Sequence, residues 1–195
     1  SLKKYNLGKN ILLEGAQGWG LNIMSSEYPN VTSSMPTVGG AINSTGLNHK
    51  QIDEVIGIVK AYKTKVGKGS FASLCDEKNE KILIEIGQEY GATTGRTRRC
   101  GWLDIDEVKQ ACEENGVDHI ILTKTDVFTN IEEPKVYFNG TTRDILKINN
   151  VNLNDIAFRV LIDFLKEETN VKDMSFTTGP NRGEFIWKPS LKVVI

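Results

Sequence analysis

The chain has 195 residues, 39% of them hydrophobic and 25% charged, enough for one domain with a substantial core. A formal net charge of -1 excludes a global field that would draw it to nucleic acid or to an anionic membrane, so any bound anion must be held by a local cluster. Three cysteines without C-x-x-C spacing and two distant histidines argue against a disulfide framework or a zinc site, and no apolar run is long enough to span a bilayer. The expectation is a soluble cytoplasmic protein.

In chain order, Ile11-Leu12-Leu13 reads as a buried strand ended by Gly15, Gly18 and Gly20. Asn48 to Val55 suits a short helix, and the alternation of Ile56, Ile58, Tyr62, Thr64 and Val66 suits a strand. Glu77 to Glu89 suits a helix with Ile82, Ile86 and Tyr90 on one face at i, i+4 spacing. Asp104 can cap a helix with Glu107 reaching back, and Asn115-Gly116 supplies its stop. The continuous apolar run His119 to Leu122 reads as a strand buried on both faces. A second helix, Asn154 to Glu168, would turn Ile156, Val160 and Phe164 inward before a strand near Met174-Ser175-Phe176. Strands alternating with helices predict an α/β fold with a mostly parallel sheet and flanking helices, whose ligands sit at the carboxyl ends of the strands.

Three clusters fall where such ligands would bind. Thr123-Lys124-Thr125-Asp126 follows the buried strand, with Lys124 and Asp126 two residues apart and so turned to one side. A carboxylate there accepts from both donors of guanine, N1–H and the exocyclic amine, while the lysine stem lies along the base with its ammonium toward solvent. An exposed polar turn is the simpler alternative. Gly91 to Arg99 combines small residues with three arginines in four positions, which suits carboxylates and phosphates; a solvated basic loop or a nucleic-acid contact would also account for it. Glu14-Gly15-Ala16-Gln17-Gly18, with Val31-Thr32-Ser33-Ser34, offers an amide and hydroxyl donors to a carbonyl or a phosphate, or is simply a tight turn with a capping cluster.

In this order the motifs resemble the adenylosuccinate synthetase family. It is matched by those three clusters together with Tyr28-Pro29, Gly57 to Tyr62 before Val66-Gly67, Gly101 to Asp104 and Thr178-Gly179-Pro180. The resemblance runs from about Ile11 to Glu184. It implies part of a P-loop-NTPase-like synthetase fold and GTP-dependent ligation of L-aspartate to IMP, a step of purine nucleotide biosynthesis. Gln17 and Thr32 would meet the IMP base and phosphate, Gln17 assisting at the purine 6-oxygen, with Val66 near the ribose. Ala92, Thr93, Thr94, Gly95, Arg96, Thr97 and Arg98 would form the aspartate-binding loop, with Arg96 reaching the ribose and Arg98 lying toward GTP. Lys124, Thr125 and Asp126 would read guanine, and Thr177, Thr178 and Gly179 would close over it.

The resemblance also implies what the sequence lacks. The family's glycine-rich phosphate loop, with its aspartate base and lysine, and its catalytic histidine have no match here. Residues 1–195 are therefore expected to form a single C-terminal portion, inactive alone, with no catalytic residue of its own and the Mg2+ ligands mainly elsewhere. Its companion would be a complementing N-terminal piece or, as in the family, a second copy in a homodimer. Met35-Pro36 after Ser34, a Ser70–Leu74 stretch without an acid, and a short interval from Asp126 to Thr177 depart from the family pattern. Competing readings are a GTPase-like switch module, a non-catalytic or repurposed GTP-binding relative, and a synthetase acting on a related purine nucleotide such as dGMP.

Overall fold

The structure, a computed structural model, describes residues 11–67, 69–91 and 95–186. Its elements run α1 (Val38–Thr45), β1 (Ile56–Lys60), β2 (Lys63–Lys65), α2 (Glu77–Gly87), β3 (Arg99–Gly101), β4 (Leu103–Asp104) and α3 (Ile105–Asn115). They continue with β5 (His119–Thr123), α4 (Thr125–Phe128), β6 (Lys135–Phe138), β7 (Thr141–Asp144), α5 (Ile156–Thr169), β8 (Asp173–Thr177) and β9 (Phe185–Ile186).

The main sheet has the order β1-β5-β8-β9. β1, β5 and β8 are parallel, with Ile58 beside Ile121 and Ile121 beside Ser175, and β9 returns antiparallel to β8. Ile120, Leu122, Met174 and Phe176, neighbours on one face of the sheet, are all buried; on the other face His119 and Ser175 are buried and Ile121 is half-buried. α5 lies over this sheet, its Phe158 meeting Phe176 edge-on at 4.7 Å. β2 and β3 form an antiparallel ribbon, and β4, β6 and β7 a third small sheet.

Helix ends follow local chemistry. The Asp104 carboxylate accepts from the Glu107 amide at 3.1 Å, and Gly116 closes α3 in the left-handed conformation. Glu107 does not reach back to complete a capping box. Its carboxylate pairs with Lys63, which also holds Asp104 at 2.8 Å, because a cation from the neighbouring ribbon outcompetes a backbone amide.

Several expectations are corrected. Ile11-Leu12-Leu13 is not a strand: no described strand pairs with it, and Leu12 is exposed. Asn48 to Val55 contains only a 3-10 turn at His49–Gln51, capped by Asn48. The strand expected from Ile56 to Val66 breaks after Lys60 into β1 and β2, and Val66 lies beyond both. α2 buries Leu83 and Gly87 and leaves Ile86 and Tyr90 exposed. α5 buries Phe158, Leu161, Ile162 and Leu165, so Ile156 and Val160 face outward. In α5 two apolar stripes overlap and the broader one wins the core, whereas in α2 the buried stripe runs through Leu83 and Gly87. Among the described residues, no helix is long and apolar enough to cross a membrane.

Candidate functional site at the carboxyl ends of the parallel strands

Three strand ends converge. The Ala61 amide, just past β1, donates to the Thr123 carbonyl at 2.8 Å. The Lys124 amide donates to Thr177 Oγ1 at 3.2 Å, and the Thr125 hydroxyl donates to the Thr177 carbonyl. The sequence-predicted groups Lys124-Thr125-Asp126 and Thr177-Thr178-Gly179 are thus side by side. Their geometry differs from an extended strand end. Lys124 has φ 61, a left-handed conformation uncommon for a residue with a side chain, and Asp126 sits in the first turn of α4. The alternation argument for Lys124 and Asp126 therefore does not hold, and the turn rather than the pleat places them.

The Lys124 ammonium donates to the Gly87 carbonyl at 2.8 Å, at the C-terminal end of α2, instead of standing in solvent. The negative end of the helix dipole favours it there. The Asp126 carboxylate is half-buried and takes no hydrogen bond or ion pair among the described residues; only its backbone carbonyl is engaged, by Thr129 and Asn130. Opposite, Thr178 donates its amide to the Glu184 carbonyl, and the Glu184 carboxylate accepts from the amide and side chain of Asn181. A side chain added at Gly179 would push that carboxylate aside, at the far end of the flexible Glu184 side chain.

Two residues past α2 lies a group the sequence reading missed. Glu89 is 1% exposed. One carboxylate oxygen accepts from Lys60 Nζ at 2.9 Å and from the Tyr62 hydroxyl at 2.6 Å, and the other from Arg98 Nη1 at 2.9 Å. Burial pushes the carboxyl up, but Tyr62, Lys60 and Arg98 together outweigh it and hold Glu89 below its ordinary range. Burial and then Glu89 push Tyr62 well above the usual phenol. Glu89 stands nine residues before Arg98, and no local spacing rule pairs them. The only signal was an acid immediately before an arginine-rich loop.

The loop itself is closed as a hairpin, with Tyr90 bridged to Thr97, Gly91 N donating to Arg96 O, and Gly95 in the left-handed conformation. Ala92, Thr93 and Thr94 lie outside the described residues. Arg96 is exposed and engaged, while Arg98 is half-buried on Glu89. Arg99 turns away to Gly69 O at 3.1 Å, over the Phe71 ring.

Gln17 and Thr32 come together through Ser34, whose hydroxyl donates to Gln17 Oε1 at 3.1 Å and lies 3.3 Å from Thr32 Oγ1. The Gln17 amide nitrogen, on an exposed residue with φ 64, keeps no partner among the described residues. This segment is tied to β2 by Lys65, which holds Glu27 at 2.5 Å, and to α3 by Trp19 on Glu114 at 2.8 Å. Val66, next to Lys65, is exposed. Among the described residues, no group of histidine, cysteine, aspartate and glutamate side chains comes together to hold a metal.

Residues 2–143 match the family model described as adenylosuccinate synthetase. The adenylosuccinate synthetase of Thermus thermophilus is 50% identical over 195 aligned residues, covering 90% of this chain and 48% of that protein. That of Caldicellulosiruptor saccharolyticus is 53% identical over 211, covering 93% and 49%. The chain spans about half the length of the curated relatives it matches. The fully ligated adenylosuccinate synthetase of Plasmodium falciparum superposes with a TM-score of 0.83 at 31% identity, covering 96% of this chain and 52% of that one. The cyanophage S-2L succinoaminodeoxyadenylate synthetase shares the fold, with a TM-score of 0.59 at 20% identity. An α/β sheet of this order, a family model over residues 2–143, and half-length matches at 50% identity or above lead to one assignment: the chain belongs to the adenylosuccinate synthetase family.

Proposed function

We propose that this chain supplies the purine, aspartate and guanine contacts of an adenylosuccinate synthetase, joining L-aspartate to IMP with GTP as phosphoryl donor. The observation that carries this is the Asp126 carboxylate, partnerless among the described residues at the carboxyl edge of the sheet, between anchored Lys124 and the Thr177–Gly179 turn. A half-buried carboxylate left without donors suits a ligand that brings two of them on one edge, as guanine does. A GTPase-like switch module would share that feature but gives no role to the arginine hairpin ending in Arg98.

In the reaction the γ-phosphoryl group passes to the IMP 6-oxygen and GDP leaves; the aspartate amine then attacks C6 and phosphate departs. The free Gln17 amide donates to the 6-oxygen as charge develops there, and Thr32 and its neighbours hold the IMP phosphate. Arg96 and Arg98 hold the aspartate carboxylates, with Ala92 to Gly95 and Thr97 wrapping the substrate. Mg2+ belongs to the family chemistry; no cluster among the described residues suits it, and none of its ligands is assigned to them. A homodimer or a complementing N-terminal piece, acting in the cytoplasm, completes this reading.

The test is nucleotide competition in enzyme reconstituted with this chain. Asp126→Asn sets an amide donor against the guanine amine, whereas xanthine offers a carbonyl there, so preference moves from GTP toward XTP by about 1–3 kcal/mol. An unchanged ratio removes Asp126 from the base site. Offering dGMP beside IMP decides the acceptor purine.

A further inference from the structure

We propose that Glu89 is the positioning residue of the aspartate-binding loop, acting through Arg98. This rests on the reading of Arg98 as a substrate-binding residue. Arg98 stands just past a hairpin built from small residues, where a guanidinium with several rotatable bonds would sample many directions before substrate arrives. Glu89 removes that freedom. Its carboxylate takes one Arg98 nitrogen at 2.9 Å, and the Arg98 amide donates to the Glu89 carbonyl at 2.9 Å, so side chain and backbone are fixed by the same residue.

The carboxylate is itself immobile. Lys60, the last residue of β1, and Tyr62, two residues beyond it, hold its other oxygen at 2.9 and 2.6 Å, and Lys60 is held in turn by Thr64 at 2.9 Å. The orientation of Arg98 is thus referred back to the parallel sheet. One Arg98 nitrogen is committed, the side chain stays about one-third exposed at 34%, and the rest of the fork remains for an anion. Two cations on one carboxylate leave the cluster with an excess positive charge, so ionised Glu89 orients Arg98 without neutralising the site. The same acid that an unaided reading would count as repelling a dicarboxylate substrate is the one that aims its receptor.

A side chain that only stabilised the fold would produce neither the aspartate-specific KM change nor the non-additivity given below. In the chain itself, 15N relaxation of the arginine guanidinium groups should find Arg98 rigid beside Arg159, which is exposed on α5. Glu89→Gln, an isosteric change, should make Arg98 as mobile as Arg159. In enzyme reconstituted with this chain, Glu89→Gln should raise the KM for L-aspartate on the order of tenfold, as loss of a charge-assisted hydrogen bond implies, with a much smaller change in kcat and in the KM for GTP. In an Arg98→Leu background the same substitution should add almost nothing. An Arg98 as mobile as Arg159 in the wild-type chain overturns the proposal without any variant having to fold. So does an unchanged aspartate KM in Glu89→Gln, or a full additive loss in the double variant, while Arg98→Leu is impaired. Arg98→Leu with normal aspartate kinetics instead refutes the aspartate assignment beneath it.

Discussion

Which face of α2 meets the core decides where Gly87 and Glu89 are delivered, and one pair of substitutions tests it. Leu83 is 0% exposed and Ile86 47% exposed on the same helix. Leu83→Ala removes three carbons from a closed site. The lost transfer free energy and the cavity left behind together cost about 3 kcal/mol, within the range for buried leucines. Ile86→Ala loses roughly half as much transfer energy, leaves no closed cavity and gains helix propensity, so its net cost is below about 1 kcal/mol. In urea, with a slope of about 2 kcal/mol per molar, the first substitution lowers the midpoint by roughly 1.5 M and the second by less than about 0.5 M. Equal shifts, or a larger one for Ile86→Ala, would refute the helix orientation and with it the route by which α2 presents its last carbonyl to Lys124.

Gly101→Ala should destabilise by more than about 2 kcal/mol in the same assay, since the added carbon would overlap the Ser73 carbonyl and the Phe71 ring in a buried ribbon. Asp155→Ala should cost about 1–2 kcal/mol, because one carboxylate caps α5 at the Phe158 amide and also accepts from Asn149 and Asn150. Those backbone bonds, above all the one from Phe158, hold Asp155 below the ordinary aspartate range. Its contribution is therefore present above that range and lost as pH falls through the lowered value, and an acid titration of Asp155→Ala should be flatter than wild type. Burial, set against partial opposition from Asp173 and Glu54, lowers His119 from 6.5; stability should therefore decline as pH drops below that value, and a neutral replacement should remove the slope. Burial pushes Cys75 and Cys100 up to about 12 and Cys112 to about 11, so iodoacetamide near neutral pH should label none of them until the chain unfolds.

What the sequence made legible was local or two-sided. The Asp104 cap and Gly116 stop act within a few residues of where they stand, and β5 carries the unbroken apolar run Ile120 to Leu122, with Ile120 and Leu122 buried and Ile121 half-buried on the opposite face. The residues proposed to read guanine lie at the expected strand end, but their geometry was not legible: the left-handed backbone at Lys124 leaves no pattern in residue types. Helix faces were misjudged where Gly87, counted as neither apolar nor polar, is the point of closest approach to Tyr62. The β6–β7 hairpin went unread although Asn139-Gly140, both at positive φ, is the usual two-residue signal for one. Glu89 was hidden for another reason. Its partners lie 9, 27 and 29 residues away, and ion pairs at such separations are products of topology.

The tie between Lys124 and Thr177 also orders events in time. The two residues are 53 apart in sequence, and closing a loop of that length costs about 3.5 kcal/mol in chain entropy beyond a constant. During synthesis, Asp126 leaves the ribosome well before the Thr177 turn, and β5 waits with an open edge until β8 arrives. The carboxyl end of the sheet is thus among its last parts to exist. Chains stopped short of Thr177 should fold their ribbons and helix caps yet leave Lys124 without its partner, and an open β5 edge makes them candidates for chaperone capture.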